Sequence, residues 1–178
     1  FIGSEKETWN LCPIALEEAI LNQLHKGIQP KAIVVVHLYG MPAKMNEIIT
    51  ISKKYNIPIL EDAAEALGSA YQGKPCGTLG DFGVFSFNGN KIITTSGGGA
   101  LICHSEIDKK KAVFLATQAK EDAAHYEHMQ VGYNYRMSNV AASIGLGQLE
   151  VLSEHIQHRK QNHLSYKQLF ENLSEVTL

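Results

Sequence analysis

The strongest constraint on the fold is a strand–helix–strand pattern over residues 32–61. Residues 32–36 read AIVVV, a continuous β-branched run of the kind found in a strand buried on both faces. Met41-Pro42 marks a turn. Met45, Ile48, Ile49 and Tyr55 then recur at near-helical spacing and predict an amphipathic helix to Asn56. A second strand is expected at residues 57–61 (IPILE). The connection has the length of a right-handed crossover between parallel strands, not of a hairpin turn.

The pattern continues on both sides of this unit. Further strands are expected at residues 69–71, 83–87 and 100–103, and helices at 13–26, 106–118 and 139–152. Ser138-Asn139 supplies a cap for the last of these. A long polar helix is expected over 153–173, and residues 120–130 show no clear period. The fold class is α/β with a largely parallel sheet. A length of 178 residues with 44% hydrophobic content suits one or at most two small domains with a real core, and excludes a disordered chain.

Charge and cysteine content narrow the function classes. Sixteen Lys+Arg against 18 Asp+Glu leave a net charge of -2, with no basic excess to neutralise a nucleic-acid backbone. No apolar run reaches the length of a membrane span. Cys12, Cys76 and Cys103 are odd in number and widely spaced, so neither a disulfide framework nor a CxxC pair is expected, and a reducing cytoplasm is the simplest home. His125 and His128 are three apart, as are His155 and His158, with His163 following. The stretch around the last three is strongly polar, and a solvated helix face is favoured over a metal site. The chain opens on Phe1 without a signal-peptide pattern, and is expected to be a fragment of something longer.

In an open α/β sheet, ligands bind beyond the carboxyl ends of the strands, which points to His37, Asp62 and the segment after Phe87. Asp62, in Glu61-Asp62-Ala63-Ala64-Glu65, follows the IPIL strand and is either a carboxylate facing a crevice or the cap of the following turn. Lys91, on the Gly-containing turn after Ser86-Phe87, is an imine-forming nucleophile, a phosphate contact or a surface cation. Gly97-Gly98-Gly99 form neither a GxxxxGK[ST] loop nor a GxGxxG fingerprint, and suit a turn entering the next strand. Taken together, an acid at a strand end and a lysine 29 residues later, flanked by Ser and a Gly-rich turn, fit pyridoxal phosphate chemistry. The amine condenses with the cofactor aldehyde, the carboxylate keeps the ring nitrogen protonated, and a hydroxyl such as Ser86 bonds the phosphate.

Five segments occur in order: HLYG at 37–40, EDAAEALG at 61–68, SFNGNKIITTSGGG at 86–99, GYNYRM at 132–137 and GLGQLE at 145–150. Their combination resembles the DegT/DnrJ/EryC1/StrS family of nucleotide-sugar aminotransferases over essentially the whole chain. The resemblance implies the large domain of a fold-type-I pyridoxal-phosphate transferase, incomplete in this chain. Residues 1–152 would be its central part, and residues 153–178 the start of a helix leading to a small C-terminal domain.

The resemblance also implies roles. Lys91 would carry the cofactor and then move protons, and Asp62 would pair with the pyridinium nitrogen. Glu65 would lie near the phenolic oxygen, where the family commonly has Gln. Ser86 would bind the phosphate, and Asn134 would reach the phosphate in the partner subunit of a homodimer with shared sites. His37, Asn88 and Arg136 would face the substrate, with Arg136 alternatively a structural ion-pair residue. The substrates implied are a nucleotide-linked 4-keto-6-deoxy sugar and an amino-acid donor, usually glutamate. Asn88-Gly89 stands where many relatives have His-Pro, and SFNGNKIITTSGGG is similar to the branch that aminates UDP-4-keto-6-deoxy-N-acetylhexosamines. The rival readings are a pyridoxamine-phosphate-dependent sugar dehydratase, which would lack the lysine, a non-catalytic dimerising regulator, and a doubly wound nucleotide-binding module without the cofactor.

Overall fold

The computed structural model describes residues 1–176. Helix α1 (Pro13–His25) is followed by strand β1 (Ile33–Val36), a short 3-10 turn at Leu38–Gly40, helix α2 (Met45–Tyr55) and strand β2 (Ile59–Asp62). Then come β3 (Ala70–Tyr71), β4 (Lys74–Pro75), β5 (Phe82–Ser86) and β6 (Gly99–Cys103). Helices α3 (Glu106–Ala116), α4 (Asn139–Glu150) and α5 (Leu152–Leu169) complete the described chain. The central sheet has the order β1-β2-β5-β6. β1, β2 and β5 run parallel and β6 is antiparallel to β5, as a largely parallel sheet requires.

The crossover forms for the reason its periodicity suggested. Met45, Ile48 and Ile51 line the buried stripe of α2 and meet Leu16 and Ile20 of α1 and Ile33, Val35 and Ile59 of the sheet. Burying each such side chain contributes about 1.5–3 kcal/mol. The helix stops at Asn56, which takes the left-handed conformation at φ 51° that short polar side chains tolerate.

Four expectations need correction. β1 is buried on one face only: Ile33 and Val35 are covered by α1 and α2, whereas Val34 is 53% and Val36 41% exposed. Nothing among the described residues covers that second face. The strand expected at 57–61 begins at Ile59, because Pro58 has no N–H for the ladder and contributes only its carbonyl, which accepts from Ile33 N at 2.8 Å. The expected strand at 69–71 is a two-residue arm of a separate antiparallel hairpin with β4, outside the central sheet. The long polar helix ends at Leu169 rather than at 173, and residues 177–178 of the stretch assigned to it and its continuation lie outside the described residues. Residues 120–130 hold neither helix nor strand, as their lack of period implied.

Candidate active site

Register places the site. Asp62 is opposite Val84, and Ser86 is two residues beyond Val84, so Asp62 and Ser86 emerge from one face of the sheet at its carboxyl edge. Strand spacing and rise put their Cα atoms about 8 Å apart. Asp62 Oδ1 accepts from Ala64 N at 3.1 Å, capping the turn after β2, while Oδ2 has no hydrogen-bond partner among the described residues. One oxygen therefore caps the turn, and the other is left without a protein partner. Ser86 Oγ accepts from Asn88 N at 3.3 Å, which leaves its hydroxyl proton to donate elsewhere.

Lys91 sits on a turn closed by its own N–H to Asn88 O at 3.1 Å. The segment is tied at its neck, where Phe87 N donates to Gly98 O at 3.0 Å and Thr95 N to Phe87 O at 2.9 Å. Lys91 Nζ lies 3.6 Å from Glu65 Oε1, with its side chain only 16% exposed. Glu65 Oε2 in turn accepts from Tyr39 N at 2.8 Å. The loop after β1 comes this close because Gly40 has no side chain. A Cβ there would stand 2.9 Å from Glu65 O, and its φ of +80° is strained for other residues. The glycines at 97–99 form a turn running into β6, as expected.

Two helices reach over this segment from far along the chain. Gln148 Oε1 of α4 accepts from Thr94 N at 2.8 Å, and His155 Nδ1 of α5 is 3.0 Å from Ile92 O. A carbonyl only accepts, so His155 carries its proton on Nδ1. Neither contact was legible as such. GLGQLE gave no hint of which residue it meets, and the polar surroundings of His155 suggested a solvated face that this half-buried side chain does not follow.

His37 does not fit the substrate-facing role expected for it. It is fully buried, accepts from Ala43 N on Nδ1 at 3.1 Å, and therefore donates from Nε2 to Glu61 Oε2 at 2.9 Å. Both ring nitrogens are committed to the fold. Glu61, also fully buried, further accepts from the amides of Gly77 at 2.7 Å, Leu79 at 2.5 Å and Gly80 at 2.5 Å. Burial pushes the Glu61 carboxyl up, but the bonds from His37 and from the Gly80, Gly77 and Leu79 amides outweigh it and hold the group below its ordinary value. Beside it, burial and the Glu61 charge push the Cys76 thiol up to about 11, in line with an inert, packed cysteine.

Asn88 is exposed at the rim of the Lys91 turn. Asn134 and Arg136 are exposed on a segment joined to the end of α3, where Tyr133 N donates to Leu115 O at 2.8 Å and Tyr135 N to Ala116 O at 3.0 Å. The structure does not bring their side chains onto Lys91 within one chain. Arg136 forms no ion pair among the described residues, so the alternative structural role has no support.

The profile of the DegT/DnrJ/EryC1/StrS aminotransferase family matches residues 1–178. The chain belongs to that family. It is 51% identical over 176 residues to EpsN of Bacillus subtilis, provisionally named a pyridoxal phosphate-dependent aminotransferase, covering 99% of this chain and 45% of that protein. It is 39% identical over 176 residues to the GDP-perosamine synthase of Escherichia coli O157:H7, covering 99% of this chain and 47% of the synthase. Among solved structures it superposes on Helicobacter pylori PseC, an aminotransferase involved in the biosynthesis of pseudoaminic acid. The TM-score is 0.88 at 30% identity, over 98% of this chain and 46% of that one. The chain thus spans less than half the length of each of these three relatives.

The donor set suits the cofactor named for EpsN. A half-buried amine on the turn after β5, a carboxylate oxygen without a protein partner at the end of β2 and a hydroxyl proton free to donate at the end of β5 all belong to the carboxyl side of the sheet. These are the three groups that an aldehyde, a ring nitrogen and a phosphate require.

Proposed function

We propose that the protein carrying this chain is a pyridoxal-phosphate-dependent aminotransferase acting on nucleotide-linked sugars for glycan or glycoconjugate biosynthesis. The observation that carries this reading is that Asp62 and Ser86 leave one face of the sheet at the carboxyl ends of β2 and β5, while Lys91, on the turn after β5, pairs with Glu65 of the segment after β2. When bound, the cofactor supplies the aldehyde and the electron-withdrawing ring. Lys91 Nζ would hold it through the aldehyde and, as a free amine, would take up and give back a proton at that nitrogen. Asp62 Oδ2 would face the protonated ring nitrogen, with Oδ1 fixed by Ala64 N so that the carboxylate cannot turn away. Ser86 would donate its hydroxyl to the phosphate. Glu65 keeps the amine near the edge of the site through the 3.6 Å pair, and is itself oriented by Tyr39 N.

Finer assignments belong to the same proposal. The amino donor is glutamate, and the sugar is a 4-keto-6-deoxy sugar, with a UDP-linked N-acetylhexosamine the first to test. Asn88 and Arg136 contact substrate. Residues 153–178 begin the link to a second, smaller domain, and the compartment is the cytoplasm; no helix among the described residues is long and apolar enough to cross a membrane. The active form is a homodimer in which Asn134 reaches the partner's cofactor. Exposed Met129, Val131, Tyr133 and Tyr135 around it offer apolar area for such a contact. The dehydratase reading is disfavoured by Lys91 itself, which that chemistry dispenses with.

The test is incubation of the intact protein with glutamate and a panel of nucleotide-linked 4-ketosugars, with products followed by mass spectrometry. Conversion of one ketosugar to its amine, abolished by Lys91→Ala, is expected. Glutamate-independent loss of water from the sugar would instead indicate the dehydratase.

A further inference from the structure

Asn10 precedes α1, yet its side chain is committed to the loop after β1. It is only 3% exposed, on a turn closed by Trp9 N to Glu5 O at 3.1 Å and by Glu5 N to Asn10 O at 2.9 Å. Its Oδ1 accepts from Leu38 N at 2.8 Å, and its Nδ2 donates to Met41 O at 2.8 Å. A backbone N–H only donates and a carbonyl only accepts, so a single orientation of the amide serves both. These two bonds bracket Tyr39 and Gly40. Both bracketed residues are left-handed, Tyr39 at φ 54° and Gly40 at φ 80°. A bulky aromatic residue holds that conformation only where its surroundings impose it. Lys44, just past the loop, ties it to the same turn a second time, pairing with Glu5 at 3.3 Å and Glu7 at 2.7 Å.

The bracketed conformation decides where the Tyr39 amide points. Tyr39 N donates to Glu65 Oε2 at 2.8 Å, and Glu65 Oε1 lies 3.6 Å from Lys91 Nζ. Tyr39, Glu65 and Lys91 line one cavity of about 690 Å³. Ser69 Oγ also grips the loop, donating to Gly40 O at 2.7 Å, but it reaches neither of the groups that Asn10 satisfies. A continuous run of polar contacts therefore joins the buried Asn10 amide to the Lys91 amine.

We propose that Asn10 is a positioning residue for the amine site: it holds Tyr39 N on Glu65, and so holds Glu65 beside Lys91. Without it, Leu38 N and Met41 O lose their partners, and Tyr39 is free to return to an ordinary backbone conformation that turns its N–H away from Glu65. The proposal rests on the proposed function and deepens it, since that reading gives Lys91 the cofactor and Asn10 no part. The rival role for Asn10 is support of the fold alone, and the measurements separate the two.

The experiment treats the intact, cofactor-free protein with trace acetic anhydride at one pH. The acetylation rate of Lys91 is read by mass spectrometry against exposed Lys110 in the same digest. Wild type is compared with Asn10→Ala, Asn10→Asp, Glu65→Gln and the Asn10→Ala, Glu65→Gln double variant. Asn10→Asp keeps the size and the acceptor for Leu38 N but loses the donor to Met41 O. Asn10→Ala is expected to raise the Lys91 rate relative to Lys110 by about fivefold, and Asn10→Asp by less. Glu65→Gln should raise it at least as far as Asn10→Ala. Adding Asn10→Ala to Glu65→Gln should then change nothing more, because residues acting through one contact are not additive. An equal rise from Asn10→Ala in both backgrounds overturns the proposal, as does no rise at Lys91 or a rise matched at Lys110. Failure of both Asn10 variants to fold assigns the residue to the fold and overturns it as well. Acetylation is read without cofactor or turnover. A wild type that shows the coupling but carries no pyridoxyl group on Lys91 after loading and borohydride reduction keeps the positioning role and drops the proposed function. Pyridoxyl-Lys91 without the coupling does the reverse.

Discussion

Glu61 and Asp62 are adjacent carboxylates with opposite duties, and the pleat of β2 assigns them. Successive side chains alternate faces, so one must enter the covered face and the other must not. Glu61 enters it and binds His37 and the amides of Gly77, Leu79 and Gly80, while Asp62 keeps one oxygen free at the sheet edge. Alternation was legible in EDAAE, but which residue faced the core was not, because that depends on where α1 and α2 lie. The same ignorance misread His37, a strand-end residue by position that proves to be a buried partner of Glu61. A consequence follows for acid stability. The folded-state value of Glu61 is depressed below the ordinary 4.5, so its contribution is complete above that value and is lost as pH falls through the lower one. Glu61→Gln should lower stability near neutrality by about 3 kcal/mol, because an amide cannot accept from all four donors. The variant should then lose less further stability than wild type between neutrality and a pH well below 4.5, where the folded-state carboxylate is itself protonated. Thermal unfolding of the intact protein at both pH values measures this, and equal acid losses in the two proteins would contradict it.

At the scale of elements, the amphipathic period of α2 and the run of valines were enough to place the crossover, and strand-end logic was enough to place Asp62 and the Lys91 segment. The clamp from α4 and α5 was not readable, since Gln148 and His155 act on residues 54 and 63 positions earlier in the chain. Such contacts are set by how helices pack on the sheet, which local periodicity does not encode. Each bond contributes about 1 kcal/mol, enough to order a loop without deciding the fold. His155→Ala and Gln148→Ala are therefore expected to increase deuterium uptake in peptides covering residues 88–97 while leaving α2 protected. Unchanged uptake in that peptide would show that the loop is held by its own neck bonds alone.

The chain spans less than half the length of EpsN, the GDP-perosamine synthase and PseC, and the second face of β1 and the segment around Asn134 are exposed in it. If Asn134 completes the partner's site, each active centre takes Lys91 from one subunit and Asn134 from the other. Mixing inactive Lys91→Ala and Asn134→Ala proteins, with subunit exchange, should then restore about a quarter of wild-type activity: half of the dimers are mixed, and each holds one intact centre. No recovery on mixing, with exchange verified, would place Asn134 in its own subunit's site or outside the chemistry. The central claim, however, concerns one nitrogen. The intact protein, loaded with pyridoxal phosphate, reduced with borohydride, digested and analysed by mass spectrometry, should carry the pyridoxyl group on Lys91. Stoichiometric labelling of a different lysine, or none at all, would contradict the account.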